Sequence, residues 1–158
     1  MKYLKFILPF LLAASGYAQP KNSIETTDVK ALIEGRKFEF VAQSANPLRG
    51  RTINLSGGYT FTVLPDTVIS YLPYYGRAYQ ATLNPDEAGI KFTSTDFTYD
   101  VKERKKGAWE ITIHPKDVKN SPNANLTISA NGYASLNIIS TDKQPISFRG
   151  IIKSAGRE

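Results

Sequence analysis

Phe97-Thr98-Tyr99-Asp100-Val101-Lys102-Glu103-Arg104-Lys105-Lys106-Gly107-Ala108-Trp109-Glu110-Ile111-Thr112-Ile113-His114 holds two runs of alternating apolar and polar residues, separated by a short basic turn that ends in glycine. A period of two sends alternate side chains to opposite faces, so each run reads as a half-buried strand. A three-residue loop over Lys105-Lys106-Gly107, with the glycine in the left-handed conformation, sets Val101 opposite Ile111 and Tyr99 opposite Ile113. On the other face it sets Lys102 opposite Glu110, a favourable cross-strand pair. Apolar meets apolar and charge meets charge, which predicts an antiparallel hairpin.

The same device is predicted twice more. A loop over Ser56-Gly57-Gly58 sets Leu55 against Tyr59 and Ile53 against Phe61, and one ending at Asn131-Gly132 sets Leu126 against Leu136 and Ile128 against Ala134. Two-residue turns at Gly57-Gly58 would mix apolar and polar side chains on one face. Alternation also marks Phe38 and Phe40, Val68 to Leu72, Ile90 to Phe92 and Ile146 to Phe148. Asn84 to Gly89 and Asp142 to Pro145 read as connections. One helix precedes the strands: Val29, Leu32 and Ile33 share a face, Thr26 or Thr27 is placed to cap its start, and Gly35 to end it.

The expected fold is mainly β: a single antiparallel curved sheet or barrel-like meander of about ten strands, with one short N-terminal helix over an open end or face. A β-sandwich is the alternative.

Lys2 and Lys5 precede an apolar run from Phe6 to Ala14, and Gly16-Tyr17-Ala18 supplies small residues at the positions a signal peptidase reads. Residues 1–18 are therefore expected to be a signal peptide cleaved between Ala18 and Gln19, residues 19–25 a leader, and residues 26–156 one β-rich domain. The expected location is the periplasm or the exterior, with no transmembrane span in the mature chain, because the apolar run is too short to serve as one. Loss of Lys2 and Lys5 lowers the formal charge from +6 to +4. Those charges are dispersed and the densest run, Lys102 to Lys106, reads as a solvated hairpin tip, so no nucleic-acid partner is expected.

The chain has no cysteine and one histidine. Thiolate chemistry is excluded, a zinc site lacks its ligands, and no cofactor or metal is called for. His114 lies opposite Thr98 and diagonal to Asp100 in the predicted register, the one arrangement from which a hydrolase reading can start. The carboxylates suggest no facing acid and base pair.

Tyr71-Leu72-Pro73-Tyr74-Tyr75-Gly76-Arg77-Ala78-Tyr79 concentrates four tyrosines and one arginine in nine residues. Tyr71, Tyr74, Tyr75, Arg77 and Tyr79 are the candidate ligand- or partner-binding residues, because tyrosine gives amphipathic contact area and guanidinium binds anions or stacks on rings. The competing reading is structural: Pro73 ends a strand, Gly76 permits a bend, and the rings pack on the barrel's end.

Leu72 to Tyr79, Gly132-Tyr133-Ala134-Ser135-Leu136 and Gln144-Pro145-Ile146-Ser147-Phe148-Arg149-Gly150 together resemble the hallmarks of a Gram-negative envelope family, domain of unknown function 4251, over Arg36 to Ile152. The resemblance implies a small exported β-rich domain, often with a lipoprotein-type N-terminus, and no assigned reaction. This chain departs from the pattern in lacking a lipidated cysteine and in having Lys143 where an arginine is expected. The expected function is non-catalytic binding of a small apolar or amphipathic ligand, or of an envelope partner, through the tyrosine segment. The alternatives are a hydrolase using Asp100 and His114, and a scaffold that joins partners along an exposed strand edge.

Overall fold

A computed structural model describes residues 26–79, 89–120 and 122–156. The expected signal peptide and leader, and the connection at Asn84 to Ala88, lie outside the described residues. After helix α1 (Thr26–Glu34) come β1 (Phe38–Pro47), β2 (Ile53–Asn54), β3 (Thr60–Val63), β4 (Val68–Pro73) and β5 (Gly89–Ser94). Then follow β6 (Phe97–Arg104), β7 (Ala108–Pro115), β8 (Asn123–Ile128), β9 (Tyr133–Ile139) and β10 (Ile146–Ser154). All strand pairs are antiparallel, and the sheet runs β5-β4-β3-β1-β10-β9-β8-β7-β6 with β2 beside β1. Among the described residues the result is one nearly closed, barrel-like sheet with one short helix.

Two local arms make up this sheet. Strands β6 to β10 form an unbroken meander, strands β1 to β5 form the other arm, and the first strand pairs with the last from Phe38↔Ser154 to Pro47↔Ile146. The sheet therefore ends at β5 and β6, which are consecutive in the chain. We call the gap between them the seam.

Alternation fills the interior. In β7, Trp109, Ile111, Ile113 and Pro115 are buried while Glu110, Thr112 and His114 are half exposed. Phe38, Phe40, Phe61 and Phe148 are fully buried with the aliphatic side chains of the inner face. Burying one such ring is worth about 1.5–3 kcal/mol. Val29 and Ile33 of α1 are buried in the same core, so the helix caps it.

Tyr99 pins the helix by donating from its hydroxyl to the carbonyl of Ile33 at 3.1 Å, while the Arg36 guanidinium lies 4.7 Å from its ring centre. Burial raises the Tyr99 pKa well above its usual range, against the pull of Arg36. Gly35 does not end the helix in the way its sequence position suggests. The left-handed residue is Arg36 (φ 49°), and Lys37 N–H donates to the Leu32 carbonyl at 3.1 Å, closing a Schellman turn. The contact with Tyr99 is made from this left-handed residue. The side chains of Thr26 and Thr27, the expected caps, are outside the described part.

Two of the three predicted hairpins are found. Val101↔Ile111, Tyr99↔Ile113 and Lys102↔Glu110 are paired, as are Leu126↔Leu136 and Ile128↔Ala134. The charge contact across the first hairpin is different from the expected one: Glu110 binds Arg104, whose Nε donates to Oε2 at 2.7 Å, instead of Lys102. The third hairpin is a correction. Leu55 does not face Tyr59, nor Ile53 Phe61; both segments lie along β1, with Ile53 on Ala45 and Phe61 on Phe40. Ser56-Gly57-Gly58 bulges out of one continuing strand, with both glycines at positive φ. Ten-residue β1 offers enough edge to pair with both segments, so the glycines loop the chain out without reversing it.

Candidate functional site

The tyrosine segment begins on β4, which Pro73 ends as predicted. From there each aromatic side chain takes a different role. Tyr74 turns its hydroxyl onto two carbonyl oxygens, those of Arg77 at 2.8 Å and Gln144 at 3.2 Å, and its pKa is raised chiefly by burial. Tyr75 is half-buried against the core. Arg77 is exposed, and its carbonyl accepts from Gln144 N–H at 3.1 Å. Tyr79 is 65% exposed, with its N–H donating to the Asp142 carbonyl at 2.7 Å. Tyr71 stands apart on the outer face of β4, its ring 6.1 Å from that of Tyr59.

These bonds fasten residues 74–79 to the connection between β9 and β10, where Ala78 and Lys143 also form an isolated bridge. The segments that carry the family resemblance are thus in mutual contact. Ala134 pairs with Gly150 and Leu136 with Phe148 across β9 and β10, and Gln144 holds the tyrosine segment. That clasp accounts for Tyr74 as a joint. It leaves Tyr71, Arg77 and Tyr79 facing solvent.

On the seam side of the same connection lies a cleft of about 330 Å³, walled by Gly89 to Phe92 of β5, by Val118, Lys119, Asn120 and Pro122, and by Ser140, Asp142 and Lys143. Its walls are tied together: Thr141 N–H and Oγ1 both approach the Asn120 carbonyl at 3.2 Å, and buried Ser70 donates to the Ile90 carbonyl at 2.6 Å. Asp142 and Lys143 form an ion pair at 3.0 Å whose side chains are only 11% and 15% exposed. Desolvation raises the Asp142 pKa, but hydrogen bonds from Lys143 and Ser140 outweigh it and the net shift is downward. With that carboxylate matched by Lys143, Lys91 and Lys119 give the cleft a positive balance. The nearby ring of Tyr74 lies 5.9 Å from the Lys143 ammonium group.

Below the cleft, the seam is latched by Asp117. Its carboxylate accepts from Ser94 Oγ at 2.5 Å, Thr95 N–H at 2.9 Å and Asp96 N–H at 3.2 Å, and Lys116 N–H returns a bond to the Asp96 carbonyl at 2.8 Å. The hydroxyl of Ser94 and then the amide of Thr95 lower the Asp117 pKa to about 2. Sequence reading missed Asp117, because its partners lie more than twenty residues away and are brought together only by the β5 to β6 corner.

Asp100 and His114 are on strands β6 and β7 in the predicted register, opposite Thr112 and Thr98. Among the described residues no hydrogen bond joins them, and no group of three or more ligand-type side chains gathers as a metal site would require. No described helix is long and apolar enough to cross a membrane. A shallower depression of about 340 Å³ on the outer face runs over Gln43, Thr127, Ser135 and Arg149.

A search of proteins with curated function returns no match. A crystal structure of a DUF4251 family protein from Bacteroides eggerthii superposes with a TM-score of 0.61 at 13% identity, covering 82% of this chain and 87% of that one. That likeness is one of fold. The sequence pattern of the family described as "Domain of unknown function (DUF4251)" matches residues 20–152, nearly the whole of the mature length expected above, and the chain belongs to this family.

Proposed function

We propose that this protein is an exported, non-catalytic binding module that holds a small amphipathic anion in the seam cleft. The observation that carries this reading is the make-up of the cleft. Ile90, Phe92 and Val118 offer apolar wall, while Lys91 and Lys119 line the same cleft as a carboxylate already matched by Lys143. Small-ligand sites are concave, about 300–1,000 Å³ in volume, largely apolar and fitted with a few convergent polar groups. The tyrosine segment serves this site as its outer support, through Tyr74 and Tyr79. Export rests on the basic, apolar and small-residue order of residues 1–18. The hydrolase reading has less behind it, since Asp100 and His114 lie on the polar face of a hairpin with no hydrogen bond between them.

Isothermal titration with octanoate, and with octanol as its uncharged counterpart, tests the reading. Octanoate is expected to bind at least about tenfold more tightly, since a carboxylate bound by an ammonium group gains roughly 1.5–3 kcal/mol. Replacing Lys91 and Lys119 together with alanine is expected to remove that difference while the circular dichroism spectrum stays native. Equal affinity for the two probes, or no binding of either, would refute it.

A further inference from the structure

The cleft runs along an unpaired strand edge. β5 ends the sheet and pairs with β4 alone, and among the described residues no backbone bond leaves its other side. The opposite walls of the cleft, Val118 to Asn120 with Pro122 and Ser140 with Asp142 and Lys143, come from the β7 to β8 and β9 to β10 connections of the other arm, so the cleft lies on that free side. Alternate residues of a strand turn N–H and C=O to the same neighbour, so every second residue of β5 presents both groups towards the cleft. Such an edge is a template for an added strand.

A strand laid there takes its side-chain pattern from β5. Ile90 is buried and Phe92 half-buried on the inner face, whereas Lys91 is exposed on the outer one. Residues directly opposite one another share a face, so an added strand places alternate side chains beside Ile90 and Phe92 and the intervening ones beside Lys91. Apolar residues suit the first set and acidic residues the second. The Lys91 ammonium group rests 5.1 Å from the Tyr71 ring centre, an exposed and therefore weak contact, and among the described residues neither Lys91 nor Lys119 has an ion-pair partner. A second copy of the chain fits poorly, because the one charge on its own β5 is again Lys91. The sheet's other end, β6, is guarded by exposed Lys102, Glu103 and Arg104.

We infer that the ligand of the seam site is an extended peptide of alternating apolar and acidic residues, which adds to β5 as a further strand and sets its carboxylates against Lys91 and Lys119. This rests on the cleft being the binding site, and it narrows the amphipathic anion to one whose main chain is bound. Four extended residues, about 13 Å, match the wall from Gly89 to Phe92.

Titration of the purified protein with an acetylated and amidated tetrapeptide alternating valine and aspartate tests it, beside the valine and lysine counterpart and octanoate. The aspartate peptide is expected to bind at least about tenfold more tightly than the lysine one. Two further isomers carry N-methyl groups either on both valines or on both aspartates. Only one of these sets of amides faces β5, so one isomer is expected to lose about tenfold or more, as for two missing hydrogen bonds, while the other binds as the parent does. Lys119→Ala is expected to weaken the aspartate peptide and octanoate alike, with the circular dichroism spectrum native. Equal affinity of the two methylated isomers, or of the aspartate and lysine peptides, overturns the added strand, and octanoate binding alone overturns it while sparing the cleft. A dimer, seen by light scattering, that excludes the peptide gives the edge to a second copy and overturns it as well. Failure of every ligand to bind overturns cleft and strand together.

Discussion

Gly76 and Tyr74 fit each other: a Cβ atom on the glycine would lie 2.7 Å from the tyrosine hydroxyl oxygen, the same oxygen that reaches the carbonyls of Arg77 and Gln144. The bend is thus built around one ring. Replacing Gly76 with alanine forces that ring out of its hydrogen bonds, and a loss of about 1–3 kcal/mol is expected from overpacking. Tyr74→Phe keeps the ring and loses only the hydroxyl, for about 1 kcal/mol. Urea midpoints at unchanged slope measure both, and a neutral Gly76→Ala would show that the joint does not depend on this fit.

Asp117 predicts the acid limb. Its folded-state pKa is held near 2 by the Ser94 hydroxyl and the Thr95 amide, below the usual 3.8, so the unfolded chain takes up its proton first as pH falls. The stability it contributes is complete above about pH 4 and lost on descending towards pH 2. Thermal melting of Asp117→Asn should therefore show a flatter decline over that window than the parent. Identical slopes would mean that the carboxylate does not latch the seam.

Tyr99 predicts the alkaline limb with the opposite sign. Burial raises its pKa in the folded state, so above about pH 10 the unfolded chain ionises first and stability falls as pH rises. Tyr99→Phe removes this dependence and also the bond to the Ile33 carbonyl, lowering stability at neutral pH by about 1 kcal/mol. Melting curves at pH 7 and pH 11 separate the two effects.

At Gly150 the backbone of β1 leaves no room for a side chain on β10. A Cβ there would fall 1.9 Å from the Val41 carbonyl oxygen, whereas one on Gly156 meets nothing within 4 Å. Gly150→Ala is expected to cost about 3 kcal/mol or more by prising the two strands apart, and Gly156→Ala to be near neutral. A small effect at Gly150 would show that the β1 and β10 contact yields easily.

What was legible in the chain was local. The turns at Lys105 to Gly107 and at Gly132 could be read because both strands flank the turn and each register is checked by its own neighbours. The bulge at Ser56 to Gly58 could not, because its register is set by β1, whose matching residues Phe40 and Ala45 lie up to twenty-one positions away. Arg36 escaped notice for a related reason: its guanidinium packs on the ring of Tyr99, on a strand more than sixty residues distant. The tyrosine segment announced itself by composition. The cleft did not, since Lys91, Lys119, Asn120 and Asp142 meet only when the sheet curls round to its seam.

The position of the seam also bears on how the polypeptide acquires this shape. Each arm can zip up from turns between neighbouring strands, but the arms become one sheet only when β1 finds β10, about a hundred residues along the chain. Closing a loop of that length costs on the order of 4 kcal/mol of chain entropy before any reward arrives. The encounter of Phe40 with Ile152 and of Ala45 with Phe148 is thus expected in the rate-limiting transition state, so that weakening those contacts slows refolding more than it speeds unfolding.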